Sequence, residues 1–178
     1  MDVRILVGTE GGLWQLGDRT GEPAEVFAGR EVTALARDGA RTWALVEGQA
    51  LWVKREGDPW QEQASIEGPA ATCLAPTTDG LLIGTEEARL LWLANGALSR
   101  VESFERVEGR DEWYTPWGDP AAVLSISMAT DETIHVNVHV GGVARSRDGG
   151  RSWTPIPVGS CGWSTSAASP TSSSSMRR

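Results

Sequence analysis

The sequence predicts an all-β fold, a β-propeller built from four-stranded antiparallel blades, and three observations lead to this prediction. Short apolar runs separated by tight turns recur with a period of about forty residues, which is typical of propeller blades. Gly and Trp are abundant, with 21 and 9 copies among 178 residues, which indicates a repeated local need for both. Asp-Gly and Asn-Gly pairs between the runs supply the positive φ angles of tight hairpins.

Three complete four-strand units and a partial first unit are predicted. The second unit shows the pattern best, with three apolar runs between residues 32 and 53 and a shorter fourth segment near Trp60. The same order returns from Thr72 and again from Leu124, where the fourth strand is predicted at Ser152 and Trp153. The first unit has no counterpart of the innermost strand. The propeller is predicted over residues 1–158, with blades at 3–28, 31–64, 71–104 and 122–158 and an insertion at 105–121.

The number of blades predicts open ends. Each small sheet has apolar side chains on both faces of its inner strands, so neighbouring blades must cover them. A closed ring needs roughly four to eight blades, and this chain has fewer complete ones. We therefore expect the end blades to expose apolar faces, and such faces favour self-association.

The segment 159–178 differs in composition from the repeats. It is rich in Ser, has almost no apolar pattern and is predicted to be disordered. It begins where a further blade is expected, which suggests a fragment, truncated or frame-shifted, of a longer propeller.

Composition excludes several classes of function. The net charge of -8 and the pI near 4.8 argue against nucleic-acid binding, which depends on clustered Lys and Arg. No segment has the length or hydropathy of a signal peptide or membrane span, so no membrane insertion and a cytoplasmic location are predicted. Cys73 and Cys161 have neither disulfide-framework nor metal-ligand spacing. No cofactor and no metal are predicted.

The most specific motif follows the third strand of the last unit. Ser146, Asp148, Gly150, Ser152 and Trp153 fit the pattern S-x-D-x-G-x-[ST]-W. The Ser and Asp side chains are suited to hydrogen-bonding turn backbone, the Gly to a positive φ, and the Trp to packing beneath the loop. The motif therefore predicts a hairpin held together by its own side chains.

This motif resembles the Asp-box, or BNR repeat, of sialidase-like propellers, and the resemblance extends over about residues 3–158. The dipeptides Leu51-Trp52 and Leu91-Trp92 fit the third strand of the repeat, but no Asp-box follows either of them. In that family the boxes lie on the periphery, away from the ligand-binding cleft. The resemblance therefore implies a fold, and a structural role for the five motif residues, rather than a chemistry.

A sialidase resemblance would also imply an arginine cluster, a Tyr nucleophile with a Glu partner, and an Asp acid. The F/Y-R-I-P segment is absent, and the single tyrosine, Tyr114, lies in the insertion. No catalytic residue is predicted, and the leading hypothesis is a non-catalytic binding or scaffold module. The alternatives are an exo-sialidase-like glycoside hydrolase with an incomplete catalytic set and an assembly factor similar to the Asp-box propellers that help build membrane complexes.

The insertion supplies the first candidate ligand site. Trp113, Tyr114 and Trp117 lie together in the nine-residue segment 110–118. Loops are where propellers carry function. Such rings are suited to stacking on a glycan or a peptide. The alternative is that they cap a blade.

A polar row supplies the second candidate site. His135, Asn137 and His139 alternate with Ile134 to Val140, so a strand through them places the three polar residues on one face, with Arg145 on the next strand. The row is suited to an anion or small ligand, or it forms a satisfied polar seam between blades. The partner predicted overall is a small ligand, a glycan or a protein.

Overall fold

The computed structural model describes residues 5–17 and 22–156, and it confirms the all-β propeller fold with three four-stranded blades and a partial first blade. Each sheet is antiparallel, and its strands follow one another in chain order. Over the described residues, the blades do not close into a ring. Residues 159–178, with the predicted disordered segment and Cys161, lie outside the described residues.

The strands are numbered in chain order. Blade 1 contains β1 (Ile5–Thr9), β2 (Gly12–Leu16) and β3 (Ala24–Val26), and blade 2 contains β4 (Val32–Asp38), β5 (Arg41–Val46), β6 (Ala50–Arg55) and β7 (Gln61–Ser65). Blade 3 contains β8 (Ala71–Thr77), β9 (Gly80–Thr85), β10 (Leu90–Ala94) and β11 (Ala97–Arg100). Blade 4 contains β12 (Val123–Met128), β13 (Ile134–Val138), β14 (Gly142–Ser146) and β15 (Thr154–Ile156).

Turn chemistry sets where these strands end. Asn95 and Gly96 join β10 to β11 with φ of 51° and 79°, the paired positive angles that a two-residue hairpin needs. One-turn 3-10 helices occur at Glu86–Ala88, Phe104–Arg106 and Arg110–Glu112. Within the described part of the chain, no helix has the length and apolar character needed to cross a membrane.

The blades pack through faces whose residue sizes are complementary. A Cβ on Gly8 would lie 3.0 Å from Val32 of blade 2, and a Cβ on Gly84 would lie 2.5 Å from Val123 of blade 4. At the equivalent position in blade 2 stands Leu45, which shares a buried cluster with Ala71 of blade 3. A large residue on one blade therefore meets a small one on the next, which is how close packing is kept across unequal repeats.

A β-bulge near the start of each inner strand sets which residues face which neighbour. The register shifts by one residue after Val32, Ala71 and Val123. The bulged Thr72 donates a hydrogen bond from Oγ1 to the carbonyl oxygen of Val123, at 2.5 Å, and so joins blade 3 to blade 4. Cys73, the next residue, packs in the same interface, where burial raises the pKa of its thiol.

The two end faces differ in chemistry. On the side of blade 1 turned away from blade 2, Ile5, Val7, Trp14 and Leu16 are exposed, as expected for an open apolar face. On the side of blade 4 turned away from blade 3, the register places a polar set instead: Ser125, Ser127, His135, Asn137 and Arg145. The expectation of an open apolar face is met only in part on blade 4: His135, Asn137 and Arg145 stand where blade 2 has Trp43, Leu45 and Val53, while Val143 keeps the apolar character of Leu51.

Two predicted strands have different limits in the structure. β13 ends at Val138, so His139 and Val140 lie in a turn, where Val140 has a φ of 58° and is exposed. His139 therefore does not continue the polar row of β13. β15 begins at Thr154, so Ser152 and Trp153 belong to the preceding turn rather than to the fourth strand.

Gly84→Ala should destabilise the protein by about 1–3 kcal/mol, because the added methyl group has no space against Val123 and Cys73. Urea unfolding followed by circular dichroism measures the change. Gly17→Ala is the matched control, since a Cβ at Gly17 meets no atom within 4 Å. Equal stabilities of the two variants would show that the glycine is not required by this interface.

The exposed apolar face of blade 1 is predicted to favour self-association of the chain. Trp14→Glu should lower the tendency of the chain to associate as its concentration rises, because it places a charge in the exposed apolar face. Sedimentation velocity over a concentration series measures this. Leu124→Glu, which changes an exposed apolar residue of blade 4, should have no such effect; the reverse result would assign association to blade 4.

Candidate functional site

The insertion between blades 3 and 4 is an ordered segment anchored in the core. Phe104 and Val107 are buried in the cluster that joins these two blades. Two short 3-10 turns follow one another, and the amide of Arg110 donates to the carbonyl oxygen of Val107 at 3.2 Å. The segment therefore provides a fixed base for the aromatic residues that come after it.

The half-buried side chain of Trp113 packs into this base. Its ring lies 5.9 Å from that of Phe104, between centroids, and it covers Gly141, where a Cβ would come within 2.7 Å of the indole. Arg110 stacks on both rings, with its guanidinium carbon 5.3 Å from the centroid of Trp113 and 5.6 Å from that of Phe104. Burial lowers the pKa of Arg110. For Trp113, the alternative of a ring that caps a blade is the one that matches these contacts.

Tyr114 and Trp117 are held in solvent by a short hydrogen-bonded loop, residues 114–119, which we call the Trp117 loop. The two side chains are 60% and 70% exposed, whereas Thr115 between them is 3% exposed. Thr115 Oγ1 accepts from the amide of Asp119 at 2.9 Å, and the Gly118 amide donates to the Thr115 carbonyl oxygen at 2.8 Å. The loop is fixed at its centre while both rings stay free for contact.

The surroundings of the Trp117 loop are acidic. Exposed carboxylates precede and follow the rings: Glu108, Asp111, Glu112 and Asp119. The one cation of this stretch, Arg110, is turned inward onto Phe104 and Trp113. The arrangement is an aromatic surface with negative charge around it, and guanidinium or ammonium groups are attracted both to carboxylates and to ring faces.

The second candidate set is only partly brought together. His135 stands opposite Arg145 in the pairing of β13 with β14, and Asn137 shares their face of blade 4. His139 lies beyond the strand end, in the turn that contacts Trp113 through Gly141. The row is on the outer face of blade 4, not in a seam between the described blades. Over residues 5–17 and 22–156, no three His, Cys, Asp or Glu side chains come together as a metal site.

The Ser146–Trp153 turn, between β14 and β15, is held by its own side chains. Asp148 accepts hydrogen bonds from the Ser152 amide at 2.9 Å and from the Ser152 and Ser146 hydroxyls at 2.5 and 2.8 Å. The buried Ser146 Oγ accepts from the Gly150 amide at 2.8 Å. Gly150 has a φ of 84°. Together these contacts satisfy the polar groups of a tight turn.

Trp153 connects this turn to the insertion. Its Nε1 donates to the Gly150 carbonyl oxygen and to Ser103 Oγ, each at 3.2 Å. Its ring packs edge-on against Phe104 with centroids 5.0 Å apart. The turn therefore braces the same Phe104 on which Trp113 lies.

A cleft that contains Arg37 and Lys54 lies between blades 1 and 2, and no motif in the sequence predicts it. The cleft can be found by comparing the repeats, because Lys54 has the position in blade 2 that the buried Leu93 has in blade 3. A charged residue at a position that is apolar in the next repeat marks a place where two blades do not close on each other.

Asp148→Asn should lower the melting temperature at neutral pH, and the difference from the unchanged protein should shrink in acid. Hydrogen bonds, first from the Ser152 hydroxyl and amide and then from Ser146, lower the pKa of Asp148 from 3.8 to about 2. A carboxyl with a lowered pKa in the folded state adds stability above its ordinary pKa, and this is lost as the pH falls from about 4 to 2. Scanning calorimetry across this range measures the effect.

The control for this pH dependence is Asp58→Asn, an exposed Asp in the turn between β6 and β7. It should leave the acid side of the stability curve unchanged. Identical curves for both variants would show that the contacts of Asp148 do not stabilise the turn.

Solved structures with a similar fold are β-propeller-like proteins. YCF48 from Cyanidioschyzon merolae matches with a TM-score of 0.61 and 13% identity, covering 86% of this chain and 53% of that one. The computationally designed Ika8 protein matches with a TM-score of 0.55 and 12% identity, covering 84% and 44%. A structure titled YCF48 bound to D1 peptide has a TM-score of 0.45, 14% identity, and coverage of 83% and 62%.

This chain spans less than two thirds of each of these structures. No protein-family model matches the sequence, and the search of curated proteins finds no match. At these identities, the structural similarity shows that the chain has a β-propeller fold and leaves its function to be argued from its own residues.

Proposed function

We propose that this chain is a non-catalytic binding module in which the Trp117 loop receives a basic segment of a protein partner. One observation carries the proposal: Tyr114 and Trp117 are 60% and 70% exposed on a loop whose centre, Thr115, is buried and hydrogen-bonded. Large aromatic side chains on a rigid support are typical of binding surfaces, since little conformational entropy is lost when a partner covers them.

The charges around the loop support a basic partner. Four exposed carboxylates flank the rings, within a chain of net charge -8. The contact of Arg110 with Trp113 at 5.3 Å is an example, in this same segment, of a guanidinium held over an indole. A partner arginine over Trp117 would use the same cation–π attraction, with the carboxylates adding selectivity and a faster association.

The two carboxyl groups with a lowered pKa have a structural role in turns. Hydrogen bonds lower the pKa of Asp131, chiefly through Thr133, and of Asp148, chiefly through Ser152. Both groups hold turns in their ionised form. A general acid at neutral pH requires the opposite shift.

The hydrogen bonds of the Ser146–Trp153 turn support its assignment as an Asp-box. Its Ser and Asp side chains accept from turn amides, and Trp153 packs beneath the loop against Phe104. On this proposal the motif stabilises the base of the binding loop and does not touch the partner.

Binding of a fluorescein-labelled heptapeptide of alternating Gly and Arg tests the proposed function. Fluorescence anisotropy should show binding that weakens about tenfold or more in Trp117→Ala, because truncating an aromatic anchor costs at least about 1.4 kcal/mol. The melting temperature should not change, since the ring is exposed. The same peptide with citrulline in place of Arg should bind more weakly, because citrulline keeps the shape and removes the charge.

Trp113→Ala is the matched structural control, and it should lower the melting temperature because its ring covers Gly141 and Phe104. Equal binding of the Arg and citrulline peptides would contradict a basic partner. Binding of xylo- or chito-oligosaccharides that depends on Trp117, without peptide binding, would assign the loop to glycans instead.

A further inference from the structure

We propose that the cleft between blades 1 and 2 is a second binding site, for a small amphipathic organic acid. Arg37 and Lys54 would hold the carboxylate, and Leu6 and Leu35 would contact the apolar part. The site is independent of the Trp117 loop, which lies between blades 3 and 4, and its test does not depend on the outcome for that loop.

The cleft has the size of a ligand site. Its volume is about 330 Å³, within the range of about 300–1,000 Å³ that small-molecule sites occupy. Leu6 of β1 and Leu35 of β4 give it apolar walls, and Lys54 spans it, with Nζ 3.5 Å from Oε1 of Gln15. The lining of the cleft is divided about equally between apolar and polar surface, which is suited to a ligand that carries both a hydrocarbon part and a polar group.

Comparison of the repeats shows what opens the cleft on the blade 2 side. Thr42 and Lys54 have the same places in the strand pairing as Leu81 and Leu93 of blade 3. Leu81 and Leu93 are buried and fill the interface between blades 2 and 3. A shorter polar residue and a charged one at these places leave the equivalent space between blades 1 and 2 unfilled.

The blade 1 side shows the same change. Gln15 has the place in the pairing that Trp92 has in blade 3. Trp92 packs against the cluster between blades 3 and 4, whereas the amide of Gln15 contacts Lys54. Both walls therefore change from apolar to polar at the same level of one interface, and a polar change on two facing blades is suited to a ligand with a polar group.

The cleft is cationic in an acidic protein. Arg37, Lys54 and Arg55 line it together with one carboxylate, Glu56, and Lys54 is the single lysine of the sequence. Among the described residues, these three cations form no ion pair within 4.0 Å. The Arg37 Nε donates to the carbonyl oxygen of Gly39 at 3.3 Å, which orients a guanidinium at the edge of the cleft.

This combination selects the class of ligand. A guanidinium and an ammonium together complement a carboxylate, and the apolar walls require a hydrocarbon part beside it. A free inorganic anion would leave Leu6 and Leu35 without a partner. A neutral apolar molecule would leave the cations without one.

Isothermal titration calorimetry of the full chain with octanoate, 1-octanol and inorganic phosphate tests the proposal. Octanoate should bind, with 1-octanol and phosphate each weaker by about tenfold or more. Octanol binding as tightly as octanoate would overturn the role of the cations. Phosphate binding as tightly would overturn the role of the apolar walls.

The double variant Thr42→Leu and Lys54→Leu copies the residues of blade 3 into blade 2. It should remove octanoate binding while the melting temperature stays or rises, because the added leucines fill the cleft. Lys54→Gln should weaken binding about tenfold, and Arg147→Gln, an exposed cation of blade 4, should leave binding unchanged. Octanoate binding that persists in the double variant would place the ligand elsewhere.

The single lysine gives a direct readout of occupancy. Trinitrobenzene sulfonate modifies free amines, and mass spectrometry of a proteolytic digest reports the modification of Lys54 separately from that of the N-terminus. Octanoate should slow modification of Lys54, and 1-octanol should not. An unchanged rate of modification at saturating octanoate would overturn the proposed site.

Discussion

The structure depends on one constraint: each blade must be covered by the next, and where the inner strands meet, a large residue on one sheet faces a small residue on its neighbour. Gly8 against Val32, Leu45 with Ala71 and Gly84 against Val123 satisfy this constraint in three successive interfaces. Because unequal repeats still pack closely, the individual strands are free to differ in sequence. The propeller is thus held by complementarity between neighbours rather than by identical blades.

The strands and turns could be predicted from the sequence, but which side chains face the neighbouring blade could not. Apolar alternation and Asn-Gly or Asp-Gly turns predicted the propeller because both signals are local. The alternation that continues to Val140 predicts a strand through His139, but Trp113 packs on Gly141 and the chain turns there. That contact joins residues far apart in sequence, so no local pattern contains it. The bulge after Val123 likewise shifts the faces of β12 by one residue.

The two proposed binding sites lie where the chain departs from the repeat. Trp113, Tyr114 and Trp117 form one aromatic group in the sequence, yet the buried Thr115 and the ring of Phe104 divide them into one structural and two exposed side chains. Which of the three side chains is structural could not be predicted from the sequence, because it depends on which ring contacts Phe104. The cleft beside Lys54 could not be predicted either, because it depends on two residues of facing blades, Gln15 and Thr42. Neither residue is unusual in its own strand.

Cys73 gives the interface between blades 3 and 4 a chemical reporter. Its half-buried thiol packs beside Gly84, and burial raises its pKa, so less thiolate exists at neutral pH while the two blades are in contact than when the side chain is exposed. When the blades separate, the sulfur meets water and its ordinary acidity returns. The rate at which a thiol reagent modifies this residue should therefore rise as the joint between blades 3 and 4 opens. Comparison of that rate with the rate of global unfolding distinguishes blades that come apart one at a time from a chain that unfolds as a whole.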